Sequence, residues 1–281
     1  MSKIYDSLGI PNYGPWYLET RENQDSSLEM FKINNFIKKI MRVGIPEFAN
    51  KTKTVQFINY GSTQVVFVVT INEEERYTFV INQPAIPFGT GKKEYDNLKL
   101  LYEKNKDVVI EPLWYFHDND REAYVTPYHY KARCIGIDED KWGMWVPEPS
   151  YHFVEYTDEE RSLINPSMVA NIVRLYDEET ECGLSKITLD GGDFMLEYGF
   201  EELELNYDNI LNNMKLIAAR ELIEMDFADY IDRLRLELSG NLEENKKMYI
   251  LSKKLASPMT MEEIETGIEL GLMLRDEKRY N

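Results

Sequence analysis

Cysteine, histidine and long apolar runs are all scarce in this sequence. Two cysteines among 281 residues, Cys134 and Cys182, are too few for a disulfide framework or a four-thiolate zinc site, so we expect reduced thiols. The three histidines lack metal-ligand spacing. No apolar run approaches the roughly 20 residues that cross a bilayer, and the N-terminus has neither a basic start nor an apolar signal core. These absences predict a cytoplasmic protein.

Basic residues are also few relative to acidic ones. The sequence has 32 Lys plus Arg against 50 Asp plus Glu, a net charge of −18. A charge of this sign repels phosphate backbones and anionic lipid headgroups. We therefore expect a small molecule or a protein as partner, and neither nucleic acid nor a membrane. The hydrophobic fraction of 43% is that of a folded protein and excludes a mainly disordered chain.

The N-terminal half has the pattern of an antiparallel sheet with one inserted helix. β-branched and aromatic residues fill two runs within residues 55–81, which predicts paired strands. Residues 94–105 then repeat apolar side chains at helical intervals, and two more strand patterns follow. An earlier helix, opening with capping-box spacing at Ser26 and Glu29, is predicted as an N-terminal extension over residues 1–50.

The second half is predicted to be mainly helical. Pro166 matches a proline at the first position of a helix. Two short strands are predicted within residues 185–209. Everything from Ile210 onward is predicted to be helical, and the last helix opens at Thr260 with capping-box spacing.

Four short segments stand at informative places in this order of elements. They are the glycine turn NYGSTQ at Gly61, the strand end FVINQP, the turn ITLDGGDFML and the segment LELNYDN. Together with the order of elements they resemble the protein-kinase-like fold, and within it the aminoglycoside and choline phosphotransferase branch. The resemblance covers roughly residues 55–241. It implies a two-lobed α+β fold, with an N-terminal antiparallel sheet and one inserted helix over residues 51–133 and a mainly helical lobe over residues 134–281.

The resemblance implies an ATP site at the glycine turn and at the end of the third strand. Gly61, Ser62 and Thr63 would cover the phosphates with backbone N–H groups. Asn82 stands where the family has a phosphate-pairing lysine or arginine, and Glu94 matches the acidic residue that holds it. An amide donates a hydrogen bond but cannot neutralise a phosphate. From the residues alone, an ordinary hairpin turn at Gly61 and a solvated first-turn Glu94 stay open.

The resemblance also implies a catalytic loop and a metal site. Thr188 falls at the position of the catalytic aspartate, and Asp193 stands five residues later at that of the metal-binding asparagine. Threonine cannot accept the substrate's proton as a carboxylate does, so Asp190 is the nearest substitute base. Asn206 replaces the metal-binding aspartate, and a tight strand pair would bring it to Asp193, where both could bind Mg²⁺. The alternative for the DGG sequence is a plain tight turn.

Three of the four charged positions that the resemblance implies are changed, to Asn82, Thr188 and Asn206. Because phosphoryl transfer depends on positioning and charge stabilisation, we expect a degenerate, pseudokinase-like protein that binds a ligand or a protein partner with little or no phosphoryl transfer. ATP and Mg²⁺ are the cofactors expected if any are used. The alternative is an atypical phosphotransferase with Asp190 or Asp193 as base, and a third interpretation is an unrelated α+β interaction protein.

An aromatic-rich segment over residues 141–156 is the candidate for the acceptor side of the cleft. Trp142, Trp145 and Tyr151 would hold a cationic, hydroxyl-bearing substrate against their ring faces. The alternative is that these rings pack one lobe on the other.

Overall fold

The chain divides into two compact units, and each is described by itself. The first comprises Met1–Lys92 and Pro112–Tyr128, and the second comprises Lys93–Glu111 and His129–Asn281. The structure, a computed structural model, describes residues 32–33, 35–51, 53–60, 64–83, 86–119, 121–128, 133–134, 158–185, 193–196, 204–240 and 259–280.

A five-stranded antiparallel sheet forms the centre of the first unit. The strand order is β1-β2-β3-β5-β4. Asn72 and Glu73, in the turn between β2 and β3, adopt left-handed backbone conformations with φ of 51° and 65°. The strands are β1 (Lys53–Tyr60), β2 (Gln64–Ile71), β3 (Glu75–Asn82), β4 (Trp114–His117) and β5 (Glu122–Pro127).

One face of this sheet packs against an N-terminal helical segment. Residues 35–39 are helical, and the chain continues through a π-helical turn at Ile40–Gly44 and a 3-10 turn at Pro46–Phe48. Because side chains alternate between the faces of a strand, this buried face leaves Asn82 and Glu122 on the opposite one. The shared core includes Phe36, Ile37, Ile40, Met41, Phe48, Phe67, Val69, Phe79, Ile81, Ala123 and Val125.

A single helix follows the third strand, as the sequence predicts. Helix α1 spans Thr90–Lys104, and the boundary between the units falls in its first turn. It begins four residues before the predicted start at residue 94. The backbone amides of Gly91 and Lys92 donate to a carboxylate from β5, a tertiary contact that the local sequence does not reveal.

The second unit combines helices with two small sheets. One sheet has the order β6-β8-β9, and the other pairs β10 with β7, all antiparallel. Its elements, besides the greater part of α1, are β6 (Arg133–Cys134), α2 (Asp158–Arg174), β7 (Cys182–Ser185), β8 (Phe194–Leu196), α3 (Tyr207–Asn213), β9 (Met214–Leu216), β10 (Glu221–Glu224), α4 (Phe227–Leu238) and α5 (Met261–Tyr280).

Two predictions for this unit are wrong. Pro166 does not open a helix, because it lies inside α2, where close packing of α5 against Val169 and the Pro166 carbonyl offsets the loss of one backbone hydrogen bond. The chain is not helical throughout from Ile210 onward, since β9 and β10 lie between α3 and α4. These strands have three and four residues and pair with distant segments, so local periodicity does not reveal them.

The last helix agrees with its predicted start. The Thr260 backbone N–H donates to Glu263 Oε2 at 2.7 Å, and the Glu263 N–H donates to Thr260 Oγ1 at 3.2 Å, which forms the predicted capping box. Within the described part of the chain, no helix has the length and apolar character needed to cross a membrane.

Candidate functional site

A buried polar cluster lies at the end of the third strand, where the resemblance implies phosphate binding. Glu122, at the start of β5, is 2% exposed, and Asn82, at the end of β3, is 6% exposed. The Asn82 amide Nδ2 donates to Glu122 Oε2 at 3.5 Å, and Gln64 Nε2 donates to Asn82 Oδ1 at 3.5 Å. Asn82 is therefore part of a closed hydrogen-bond chain.

The Glu122 carboxylate binds the start of α1. Its Oε2 accepts the backbone N–H groups of Gly89 at 2.8 Å and Gly91 at 3.2 Å, and its Oε1 accepts that of Lys92 at 3.1 Å. The Tyr115 hydroxyl donates to Oε1 at 2.6 Å. These orphan amides at a helix start are the donors that bind phosphate in other proteins, and here a carboxylate of the same chain uses them.

These charges do not suit a nucleotide phosphate at Asn82. The position lacks a cation, and the buried carboxylate of Glu122 would repel an incoming anion at short range, where screening by water is weak. The residues present thus do not fit the phosphate pairing that the resemblance implies.

Glu94 lies in the part of α1 that belongs to the second unit. It is 3% exposed, so the alternative of a solvated first-turn glutamate is wrong. Its role beside Asn82 stays a prediction, because the two residues belong to different units.

Asp193, the predicted metal ligand, is paired with an arginine in the second unit. Its side chain is 3% exposed, and Arg220 Nη2 lies 3.4 Å from Asp193 Oδ1. The Asp193 carbonyl accepts the Ile217 N–H at 2.8 Å. The guanidinium therefore supplies a positive charge next to the carboxylate to which the resemblance assigns a metal ion.

Asn206 does not lie in the predicted strand pair with Asp193. It is the N-cap of α3, and its Oδ1 accepts the Asn209 N–H at 2.9 Å. The strand that pairs with β8 is β9, in the register Phe194 opposite Leu216. The predicted hairpin was therefore assigned to the wrong second strand, because the following segment, MKLIAAR, was read as helix.

The residues after β9 are the ones that hairpin geometry brings to Asp193. They are Ile217, Ala218, Ala219 and Arg220, and none carries a carboxylate. Asn97 of α1 holds this segment by donating from Nδ2 to the Ala219 carbonyl at 2.9 Å. The sequence signal that was available was the short apolar run Met214–Ala219, which interrupts the helical pattern with strand-like residues.

The other predicted site residues lie outside the described residues. They are Gly61, Ser62, Thr63, Thr188 and Asp190, together with the aromatic residues Trp142, Trp145 and Tyr151. Among the side chains that the structure does describe, no group of three or more His, Cys, Asp or Glu residues has the geometry of a metal site.

A cavity of about 420 Å³ in the second unit has apolar walls that include Leu100, Leu101 and Leu222. Its cations are already paired: Lys104 lies 2.8 Å from Asp177, and Arg275 lies 2.7 Å from Glu178, both among the lining residues. The third, Arg174, lies 2.6 Å from Asp107.

Asp177 has an altered pKa in this cavity. Burial raises the pKa of its carboxyl, but hydrogen bonds from Lys104 and Thr180 outweigh burial, so the pKa lies below its ordinary value. None of the predicted site residues lines the cavity, so it is separate from the predicted nucleotide site.

Comparison with known proteins gives similarities to solved structures alone. The autoinhibited serine kinase domain of the giant muscle protein titin is similar with a TM-score of 0.42 and 9% identity, over 80% of this chain and 75% of that chain. The BubR1 kinase domain is similar with a TM-score of 0.44 and 13% identity, over 87% and 71%. No family model and no curated protein matches the sequence.

The assignment of a kinase-like fold depends on the chain's own topology. The sheet order β1-β2-β3-β5-β4, the single helix after β3 and the mainly helical second unit agree with the predicted α+β arrangement. A fold of this kind supports several functions, so function has to be argued from the residues at the site.

Proposed function

We propose that this protein is a degenerate member of the kinase-like fold that binds a ligand or a protein partner and carries out little or no phosphoryl transfer. Its place in the aminoglycoside and choline phosphotransferase branch belongs to the same proposal, and it rests on the sequence resemblance. ATP and Mg²⁺ enter only under the alternative of an atypical phosphotransferase.

The pairing of Arg220 with buried Asp193 carries this proposal. A guanidinium 3.4 Å from the carboxylate already supplies the charge that a metal ion would supply, and a second cation beside it would be repelled. The segment Ile217–Arg220 offers no carboxylate as a second ligand.

The loss of charge at Asn82 acts in the same direction. Stabilisation of the transferring phosphoryl group is mainly electrostatic, and removing a single stabilising group in such sites costs about a hundredfold or more in rate. Loss of both the cation at residue 82 and the metal at Asp193 would leave little catalysis. Binding does not need these charges.

The net charge of −18 indicates the kind of partner. A field of this sign raises the encounter rate with cationic molecules and lowers it with anionic ones. The proposed partner is accordingly a protein with a basic surface or a cationic small molecule, and its association should weaken as salt is added.

Thermal unfolding with and without Mg·ATP tests the proposal. A nucleotide at about 100 times its Kd stabilises the folded state by about 2.7 kcal/mol, which corresponds to a rise in Tm of about 5 °C for a chain of this size. We expect no such shift and no ATP turnover. A rise of that size, or turnover that is lost in Asp193→Ala, would overturn the proposal in favour of the phosphotransferase.

A further inference from the structure

We propose that Glu122 acts as an internal anion that occupies the start of helix α1 and holds its first turn on the sheet without a nucleotide. The proposal concerns residues of the first unit alone. It goes beyond the proposed function, because it assigns a conformational role to a residue that the kinase resemblance does not single out.

Both oxygens of this carboxylate are used. Oε2 accepts from Gly89 and Gly91 at 2.8 and 3.2 Å, and Oε1 accepts from Lys92 and the Tyr115 hydroxyl at 3.1 and 2.6 Å. Hydrogen bonds to an ionised acceptor are about twice as strong as neutral ones. The carboxylate thus joins the loop before α1, the first turn of α1 and strand β4.

The backbone around the carboxylate is shaped to admit it. Gly89 has φ of +95°, a conformation that other residues rarely adopt. A Cβ at Gly91 would lie 2.8 Å from Asn82 Nδ2 and 3.1 Å from the Cβ of Glu122. Two glycines therefore allow the amides of α1 to approach the carboxylate, which is an observation independent of the hydrogen bonds.

This arrangement has a consequence for ligand response. The resemblance implies a helix attached to the sheet through a lysine that also binds phosphate, whereas here a carboxylate of β5 binds backbone amides of the helix. We therefore expect the first turn of α1 to be ordered in the free protein and to be unaffected by Mg·ATP. This last expectation rests on the proposed function, and the anchoring itself does not.

Chemical rescue of Glu122→Ala tests the internal anion. The substitution removes a CH₂–COO⁻ group, which acetate can replace in the vacated space. We expect the Tm of Glu122→Ala to fall, and acetate to restore part of it beyond the effect of chloride at equal ionic strength. Wild-type protein and Tyr115→Phe, which keep the carboxylate, should show no difference between the two salts.

Glu122→Gln provides a second variant with almost unchanged volume. Donors point at both oxygens, so either orientation of the amide places an NH₂ group against a backbone N–H. Hydrogen exchange at the amides of Gly89, Gly91 and Lys92 should therefore speed up by about tenfold or more. Tyr115→Phe leaves the three backbone contacts in place and should change their exchange much less.

The outcomes separate the anchor from the proposed function. Unchanged exchange in Glu122→Gln, or equal effects of acetate and chloride on a folded Glu122→Ala, would overturn the anchor. Slower exchange at these amides of the wild type on adding Mg·ATP would instead count against the absence of nucleotide binding, with the anchor intact.

Discussion

The guanidinium of Arg220 lies 3.4 Å from the buried carboxylate of Asp193, and the backbone holds the pair together. The Asp193 carbonyl accepts the N–H of Ile217, three residues before the arginine. Main-chain pairing of β8 with β9 therefore sets the position of the ion pair, and the side chains complete it.

We expect Arg220→Ala to lower the free energy of unfolding by about 1–2 kcal/mol, because it removes a charge-assisted contact from a buried carboxylate whose partner is itself 42% exposed. Urea unfolding measures the change. Arg220→Lys, which keeps the positive charge, should recover part of it. A loss below about 0.3 kcal/mol in Arg220→Ala would show that the pair contributes little.

The same variant should expose the carboxylate to metal ions. If the guanidinium takes the place of a metal, Mg²⁺ or Mn²⁺ should raise the Tm of Arg220→Ala and leave that of the wild type unchanged. The double variant Asp193→Asn/Arg220→Ala, which lacks the carboxylate, is the control. An equal response of all three proteins to the metal would contradict the substitution of a metal by arginine.

Gly183→Ala should destabilise the second unit by about 1–3 kcal/mol, because a Cβ at this position would lie 2.3 Å from the Tyr230 ring. The ring is 1% exposed and its hydroxyl donates to the Leu184 carbonyl at 2.9 Å, so it has little room to move. Chemical denaturation measures the loss. In a Tyr230→Leu background the added methyl group should cost much less, and additive effects would argue against the clash.

Gly267→Ala should lower stability even though alanine favours a helix by about 1 kcal/mol. A Cβ there would lie 2.5 Å from Val169 Cβ and 2.6 Å from the Pro166 carbonyl oxygen, so α2 and α5 would have to separate. Glu269→Ala, on the exposed side of the same helix, serves as the matched control. A higher Tm for Gly267→Ala would mean that the helices tolerate a wider spacing.

Asp177 should make stability depend on acid pH. Its pKa is lowered in the folded state, so the carboxylate stabilises the protein above its unfolded pKa, and this contribution is lost as pH falls through the folded value. Asp177→Asn should therefore be less stable than wild type at pH 7 and similar to it well below the ordinary aspartate pKa of 3.8. Urea unfolding across this range tests the prediction, and a constant difference would contradict it.

Short-range patterns predicted much of the fold. The turn at Asn72 and Glu73 and the capping box of Thr260 and Glu263 were read correctly, because backbone preferences and contacts three residues apart decide them. The sheet with one inserted helix also followed from the periodicity of its strands. Asn206 was misplaced because its role depends on whether the next residues form a strand or a helix.

The sequence by itself determined the order of elements, the acidic charge and the absence of a lysine at Asn82, since these are properties of local pattern and composition. Only the tertiary structure decided which groups surround the changed positions. It brings Glu122 to Asn82 across two paired strands, and it brings Arg220 to Asp193 through the pairing of β8 and β9. Both contacts join residues 27 or more positions apart in the sequence, beyond the reach of helical or strand periodicity.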